Sequence, residues 1–301
     1  MQRCFPVNAV YNANHARNQA AGNPPIQNLG ATNSAMIRAL KIVAACLATL
    51  SGWQGGHATD LPREQGIAEE TTARAGAGEA IWLETAGVKF QALYREAISR
   101  ETRGGLILLH ELDASADAAD ILQPMRKRLP ERGWDTLALQ GPMREAGADL
   151  QDHLALLPEA VARIQAGIDY LKSKNHDRIV LIGHGTGALT VLRYLARAPD
   201  TITTAAIIID SPASSAAERD AAGLADLGKV NIPLLDILSR RDEMATEEAA
   251  PTRKRIMKKN EAYRQTTIND PEADFKDVED LLINRIHGWL VRVSPAARNP
   301  R

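Results

Sequence analysis

Short apolar runs separated by helical patterns are the feature that most limits what this chain can fold into. There are five such runs, at 104–110, 133–139, 178–182, 205–209 and 233–238. Continuous apolar runs of this length are typical of strands buried on both faces of a parallel sheet. Between them, apolar residues recur at intervals of three and four, as on the buried face of a helix. The alternation predicts a doubly wound, mostly parallel α/β sheet.

The sequence also predicts elements before and after these five runs. Residues 81–83 and 88–94 flank the turn signal Ala86-Gly87, which predicts an N-terminal β-hairpin. A last strand is expected near 263–268, followed by a closing helix over about 278–289. Helical spacing is clearest at Leu154, Leu157, Val161, Ile164, Ile168 and Leu171.

One loop of the predicted sheet joins the third apolar run directly to a helix. It reads Gly183-His184-Gly185-Thr186-Gly187. Hydrolases of the α/β-hydrolase fold present their nucleophile in this context as Gly-x-Ser-x-Gly, on a sharp strand-to-helix turn called the nucleophile elbow. The outer glycines suit a turn that leaves no room for side chains on either side of its apex. Glycine at 185 removes the nucleophile and relieves the strain, about 1–3 kcal/mol, that a positive-φ serine carries.

Several segments together resemble a known family. They are the segment ending in His110-Glu111, the segment 133–137, the elbow at 183–188, and Gly288-Trp289-Leu290. Over roughly residues 79–291 they look like the bacterial domain-of-unknown-function family 3530. The resemblance implies an α/β-hydrolase-like fold and a signal peptide, and it supplies no reaction.

The N-terminal part of the chain predicts export. A basic head from Met36 to Lys41, an apolar run at 42–50 and the small-residue exit before residue 59 form a secretory signal peptide over 36–58. The run is too short to span a bilayer, and it continues beyond Cys46, so a lipoprotein cleavage box is not expected. A periplasmic location follows from this interpretation.

The remaining boundaries are predicted as follows. Residues 1–35 form an extension that is disordered or precedes the natural start, 59–78 a solvated linker, 79–294 the folded domain, and 295–301 a tail. The two cysteines, Cys4 and Cys46, precede the domain, so no disulfide or thiolate site is expected in it. A net charge of -1 argues against a nucleic-acid partner.

The rest of a serine-hydrolase triad is incomplete. The acid should follow the fifth run, where Asp242 stands, but the segment after the last strand contains no histidine. His287 comes too late, within the closing helix. Glu111 follows His110 where hydrolases tend to have glycine, and a carboxylate there would repel a developing oxyanion. Loss of both nucleophile and base removes serine-type acyl transfer.

Three alternatives stay open at this point. A relocated nucleophile, Ser211, follows the fourth run, with His184 or His110 as its base. A metal site could use His110, Glu111, Asp113, His184 and Asp270, although their spacing is not diagnostic. Finally, Gly183-x-Gly185-x-x-Ala188 fits a dinucleotide fingerprint, with Asp210 as the ribose-binding carboxylate.

Taken together, the sequence predicts a periplasmic α/β-hydrolase-like protein without serine-hydrolase catalysis. It would bind an envelope ligand or partner through the loops at the strand ends, and no cofactor, metal or membrane span is expected in the mature chain. The first alternative is a weak carboxylester hydrolase using Ser211, and the second is a dinucleotide-binding protein.

Overall fold

An eight-stranded sheet forms the centre of the protein. The computed structural model describes residues 59–75, 79–99, 102–111, 113–197, 201–212, 221–239, 243–270 and 275–294. The strands are β1 (Ala80–Thr85), β2 (Val88–Arg95), β3 (Gly105–Leu109), β4 (Asp135–Leu139), β5 (Ile179–His184), β6 (Thr203–Ile209), β7 (Leu234–Ser239) and β8 (Tyr263–Ile268). Their spatial order is β1-β2-β4-β3-β5-β6-β7-β8. The six neighbouring strands β4, β3, β5, β6, β7 and β8 pair in parallel, whereas β2 is antiparallel to both of its neighbours, β1 and β4. The predicted doubly wound, mostly parallel sheet is confirmed.

Helices cover the sheet on both faces. They are α1 (Leu61–Ala75), α2 (Leu122–Arg128), α3 (Leu150–Leu154), α4 (Leu157–Ser173), α5 (Thr186–Leu195), α6 (Ala221–Leu227), α7 (Glu243–Ile256) and α8 (Glu279–Val293). Short 3₁₀ turns occur at Pro130–Arg132, Met257–Lys259 and Lys276–Val278. No helix in these ranges has the length and apolar character needed to cross a bilayer.

Burial on both sides explains why the central strands read as continuous apolar runs. Every residue of β3, β4, β5 and β7 is buried. Successive side chains alternate between two cores, so that Leu106 and Leu108 pack with Trp289 while Ile107 packs with Ile164 on the opposite face. A charged residue on either face of these strands would therefore need a buried partner.

The N-terminal hairpin is formed as predicted. Thr85 pairs with Val88, and the two residues between them, Ala86 and Gly87, both have positive φ, at 51° and 79°. Two positive-φ residues are the signature of the two-residue turn whose twist matches that of the flanking strands. The edge of the sheet is thus set by local turn chemistry.

The prediction of a solvated linker over 59–78 is wrong for residues 61–75, which form α1. This helix buries Glu64, Ala68 and Thr71, and Gln91 on β2 donates a hydrogen bond of 2.8 Å to the carbonyl of Ala68. Helix α1 packs through small and polar side chains and lacks an apolar stripe, so its sequence carries no helical period. The folded unit therefore begins about twenty residues earlier than the hairpin. The predicted extension, signal peptide and tail lie outside the described residues.

Candidate functional site

The turn between β5 and α5 has the geometry of a nucleophile elbow. Strand β5 ends at His184, helix α5 begins at Thr186, and Gly185 alone connects them with φ 55° and ψ -121°. The Gly185 N–H donates to the Ile209 carbonyl at 3.0 Å, which fixes the turn against β6. A residue with a side chain would be strained at this positive φ, and glycine is not.

The outer glycines are required by backbone contacts, as the sequence indicates. A Cβ on Gly183 would lie 2.6 Å from the nitrogen of Ala188 and within 2.5 Å of the carbonyl carbon of Gly187. A Cβ on Gly187 would lie 2.5 Å from the carbonyl oxygen of Leu109. Because these atoms are main chain, they cannot rotate away. The tight approach of α5 to the ends of β3 and β5 therefore needs glycine at both positions.

Glu111 occupies the space in which a nucleophile would stand. A Cβ built on Gly185 would lie 2.6–2.7 Å from Cγ, Cδ and Oε1 of Glu111. The Glu111 side chain is 43% exposed, and its Oε2 lies 3.9 Å from Nε2 of His184. Glycine at 185 and glutamate at 111 are separate departures in the sequence, but in the fold they are linked. The Glu111 side chain occupies space that is free because residue 185 has no side chain.

The loop after β8 supplies an aromatic ring where a triad histidine is expected. Phe275 contacts His184 edge to face, with ring centroids 6.4 Å apart. Its backbone is held at φ 58°, and its N–H donates to Oδ2 of buried Asp270 at 2.7 Å. His184 is itself buried. This side of the elbow is packed, and Asp270 is engaged by the backbone of Phe275.

His110 is held as a neutral structural residue. Its Nε2 accepts hydrogen bonds from the N–H of Gly141 at 2.8 Å and from the amide of Gln140 at 3.0 Å, so the proton resides on Nδ1 and is donated to the Glu111 carbonyl at 2.7 Å. Burial lowers the pKa of His110 to about 4. Both ring nitrogens are thus engaged in hydrogen bonds within the fold.

This arrangement predicts a loss of stability in mild acid. The unfolded chain protonates His110 near pH 6.5 and the folded chain only at about pH 4, so the unfolded state binds more protons between these values. The contribution is complete above pH 6.5 and falls as the pH drops towards 4. His110→Gln should flatten this slope in urea denaturation curves recorded across that range. A variant with the wild-type slope would contradict the assignment.

A small cavity of about 60 Å³ lies beside the elbow. Its walls come from the ends of β3 and β4 and from helices α3, α4 and α5. Most of the lining is apolar, and the polar groups on it include His110, Glu111, Asp113, His153 and Arg163. His153 and Arg163 carry no distinctive signal in the sequence, because each lies on an otherwise ordinary helical pattern.

Arg163 forms the most heavily paired buried charge at this cavity. It makes two hydrogen bonds to the Glu64 carboxylate, at 2.6 and 2.9 Å, one to Glu159 at 2.7 Å and one to the carbonyl of Gln140 at 2.8 Å. Its guanidinium also lies 4.7 Å from the ring centroid of Phe90. A helix that was expected to be a linker thus supplies the main counter-charge of the cavity wall.

The other predicted site residues are dispersed or engaged. Ser211 is buried, and its carbonyl accepts a hydrogen bond from Arg253. Asp210 uses Oδ1 to accept the N–H of Ser239 at 2.6 Å. His287 lies on α8, where burial lowers its pKa. Asp242 lies outside the described residues.

The metal alternative gains no support from the geometry. Within the described ranges, histidine, cysteine and carboxylate side chains form no group of three suited to a metal ion. Of the five side chains considered, His110 is committed to the backbone and Asp270 to the N–H of Phe275.

Strand order and elbow geometry together define an α/β-hydrolase-like protein. Similar solved structures include the esterase Pf2001 of Pyrococcus furiosus, with a TM-score of 0.58 and 18% identity over 71% of this chain and 90% of that one. Est1E from Butyrivibrio proteoclasticus has a TM-score of 0.55 and 16% identity, covering 71% and 98%. A dienelactone hydrolase from Anabaena variabilis has a TM-score of 0.56 and 16% identity, covering 71% and 97%. At these identities the likeness establishes the fold.

The chain belongs to the family described as "Protein of unknown function (DUF3530)". The family model matches residues 60–162 and 145–292, so it spans α1 as well as the sheet. The expected family is confirmed, and its start at residue 60 agrees with a folded unit that includes α1. No curated protein matches the chain.

Proposed function

We propose that this protein is a non-catalytic binding protein of the cell envelope built on a hydrolase fold. One observation carries the proposal: the Glu111 side chain fills the space above Gly185 where a serine side chain would project. Hydrolysis through an elbow serine needs that space for the nucleophile and a nearby base for its proton. Here the space holds a carboxylate, and Phe275 packs against His184 beside it.

Glu111 also argues against the chemistry of acyl transfer in a second way. A tetrahedral intermediate is stabilised by donors aimed at a developing negative charge. The Glu111 carboxylate lies at the N-terminus of α5, where it interacts with the positive end of the helix dipole. In that position it would repel the negative charge that develops on an oxyanion. The site therefore favours holding a neutral molecule over activating an ester.

Export to the periplasm is part of the same proposal and rests on the signal-peptide pattern at 36–58. Fractionation of cells that produce the full chain tests it, with the 59–301 segment as the unexported control. Recovery of the full chain in the cytoplasmic fraction, at the level of the control, would contradict export.

The carboxylester-hydrolase alternative makes a different prediction for Ser211. This serine is 5% exposed, so an ester substrate would have little access to its hydroxyl. We expect purified protein to hydrolyse short p-nitrophenyl esters no faster than buffer, and Ser211→Ala, Glu111→Gln and Gly185→Ser to behave alike. Turnover that persists through purification and is lost in Ser211→Ala would establish the esterase, and turnover lost in Glu111→Gln would establish catalysis by that carboxylate.

The dinucleotide alternative meets an electrostatic obstacle. A pyrophosphate bound at this turn would approach the N-terminus of α5, where the Glu111 carboxylate already lies over Gly185. Asp210, the expected ribose ligand, has one oxygen bonded to the N–H of Ser239. A rise in melting temperature on adding NADH or NADPH would contradict this reading.

A further inference from the structure

The cavity beside the elbow has an apolar interior, and two of its lining side chains carry a buried polar atom without a hydrogen-bond partner in the described part of the chain: Nε2 of His153 and Nε of Arg163. Its volume is about 60 Å³, and its apolar walls include Leu139, Met143, Leu154 and Leu157. One water needs about 10–15 Å³ of such space, so the cavity holds roughly four to six water-sized groups. That is room for the end of a short aliphatic chain.

His153, on α3, carries the first of these two atoms in its imidazole ring. Its side chain is 8% exposed, and Nε2 has no hydrogen-bond partner within the described part of the chain. The nearest carboxylate oxygen, Oδ1 of Asp113, is 3.7 Å away, which is beyond hydrogen-bond distance. A buried polar atom left unpaired is costly, so this nitrogen is suited to a bond with an occupant of the cavity.

The charged side chains that line the interior already have counter-charges, although Nε of Arg163 has no hydrogen-bond partner within the described residues. Arg163 is paired with Glu64 and Glu159, and Asp113 accepts a hydrogen bond of 2.8 Å from Arg63. Glu111 stands at the rim with 43% of its side chain exposed.

A ligand that brought a charge inside would therefore find no unpaired counter-charge in the interior. Burial lowers the pKa of His153 and keeps its ring neutral at pH 7. An ion of either sign would lose its hydration without compensation, and an anion would also meet Glu111.

We propose that this cavity binds the end of a short, neutral aliphatic molecule bearing one hydroxyl or carbonyl oxygen, which pairs with Nε2 of His153. The inference rests on the proposed binding function and names the ligand class of that site. Apolar walls provide the affinity for the chain, and the unpaired Nε2 of His153 provides the preference for an oxygen over a methyl group.

Straight-chain alcohols test the proposal directly. Dissociation constants for 1-propanol to 1-octanol, measured by NMR titration of the purified protein, should fall about fourfold for each added methylene until the cavity is full and then level off. Carboxylates and amines of matched chain length should bind at least tenfold more weakly. Equal affinities along the series, or a carboxylate or amine that binds as well as its alcohol, would overturn the proposal.

Two variants locate the binding. Ala160→Leu enlarges a cavity-lining residue of α4 and should abolish alcohol binding, whereas Ala162→Leu, on the same helix but away from the lining, should leave it unchanged. His153→Phe keeps a ring on the wall and removes Nε2, so alcohol affinity should fall roughly three- to tenfold. Wild-type affinity in both Ala160→Leu and His153→Phe would place the alcohol elsewhere and refute the site.

These results are separate from the test of the proposed function. Ester turnover in the hydrolysis assay contradicts a non-catalytic role whether or not alcohols bind. Failure of alcohols to bind, in a protein that hydrolyses no ester, refutes the cavity proposal and leaves the non-catalytic assignment standing.

Discussion

Replacing Gly183 by alanine is expected to destabilise the protein by more than about 3 kcal/mol, which is severe for the addition of one methyl group. The new Cβ would meet the carbonyl carbon of Gly187 at 2.5 Å and the nitrogen of Ala188 at 2.6 Å. Since both atoms belong to the first turn of α5, relief requires the helix to move away from β5. The measurement is the free energy of unfolding from urea denaturation, or the soluble yield if the variant does not accumulate.

Gly66→Ala is the matched control for this substitution. Gly66 lies within α1, has no atom within 4 Å of the added Cβ, and does not adopt a positive φ. Alanine there should stabilise the protein by about 0.5–1 kcal/mol, because glycine is the poorer helix former. If both variants shifted stability by similar amounts, the close packing at the elbow would not be what requires Gly183.

Removing the buried guanidinium by Arg163→Met is expected to cost about 3–5 kcal/mol. The substitution leaves the Glu64 carboxylate, of which 5% is exposed, without its partner in the interior. Part of this loss should return in the double variant Arg163→Met with Glu64→Leu, because no unpaired charge then remains buried. Urea denaturation of the single and double variants measures both effects.

An exposed ion pair on α1, the helix that carries Glu64, provides the comparison. Arg74 and Glu70 on α1 are 58% and 73% exposed and lie 3.7 Å apart. Arg74→Met should change the free energy of unfolding by less than about 0.5 kcal/mol. A double variant no more stable than Arg163→Met alone would show that the loss comes from packing against Phe90 and not from an uncompensated carboxylate.

The sheet could be predicted from the sequence because the residues that specify each strand and turn lie within that strand or turn. The run at 104–110 predicts β3, since a strand buried on both faces must be apolar throughout. The Ala86-Gly87 turn fixes the hairpin through its own backbone preferences. Both predictions needed no knowledge of distant residues.

Other features depend on contacts between segments that are far apart in the chain. Helix α1 is held by Glu64, whose partner Arg163 lies 99 residues later in the chain. The pairing therefore cannot be predicted from the sequence around either residue. Likewise, the sequence identifies Gly185 and Glu111 as departures from a hydrolase, but only the fold shows that one side chain fills the space vacated by the other. His153 becomes notable only when its surroundings are known.

The attachment of α1 links the N-terminal helix to whatever the cavity contains. The Thr59 hydroxyl donates to the Met143 carbonyl at 3.0 Å, and Arg63 donates to Asp113 at 2.8 Å, so the start of the helix is tied to two cavity-lining residues. With the Glu64–Arg163 pair, the segment from Thr59 to Glu64 contacts three cavity-lining residues. A partner protein that bound α1 and displaced it from these residues would therefore weaken ligand binding in the cavity. By thermodynamic reciprocity, a bound ligand would weaken the binding of that partner by the same factor.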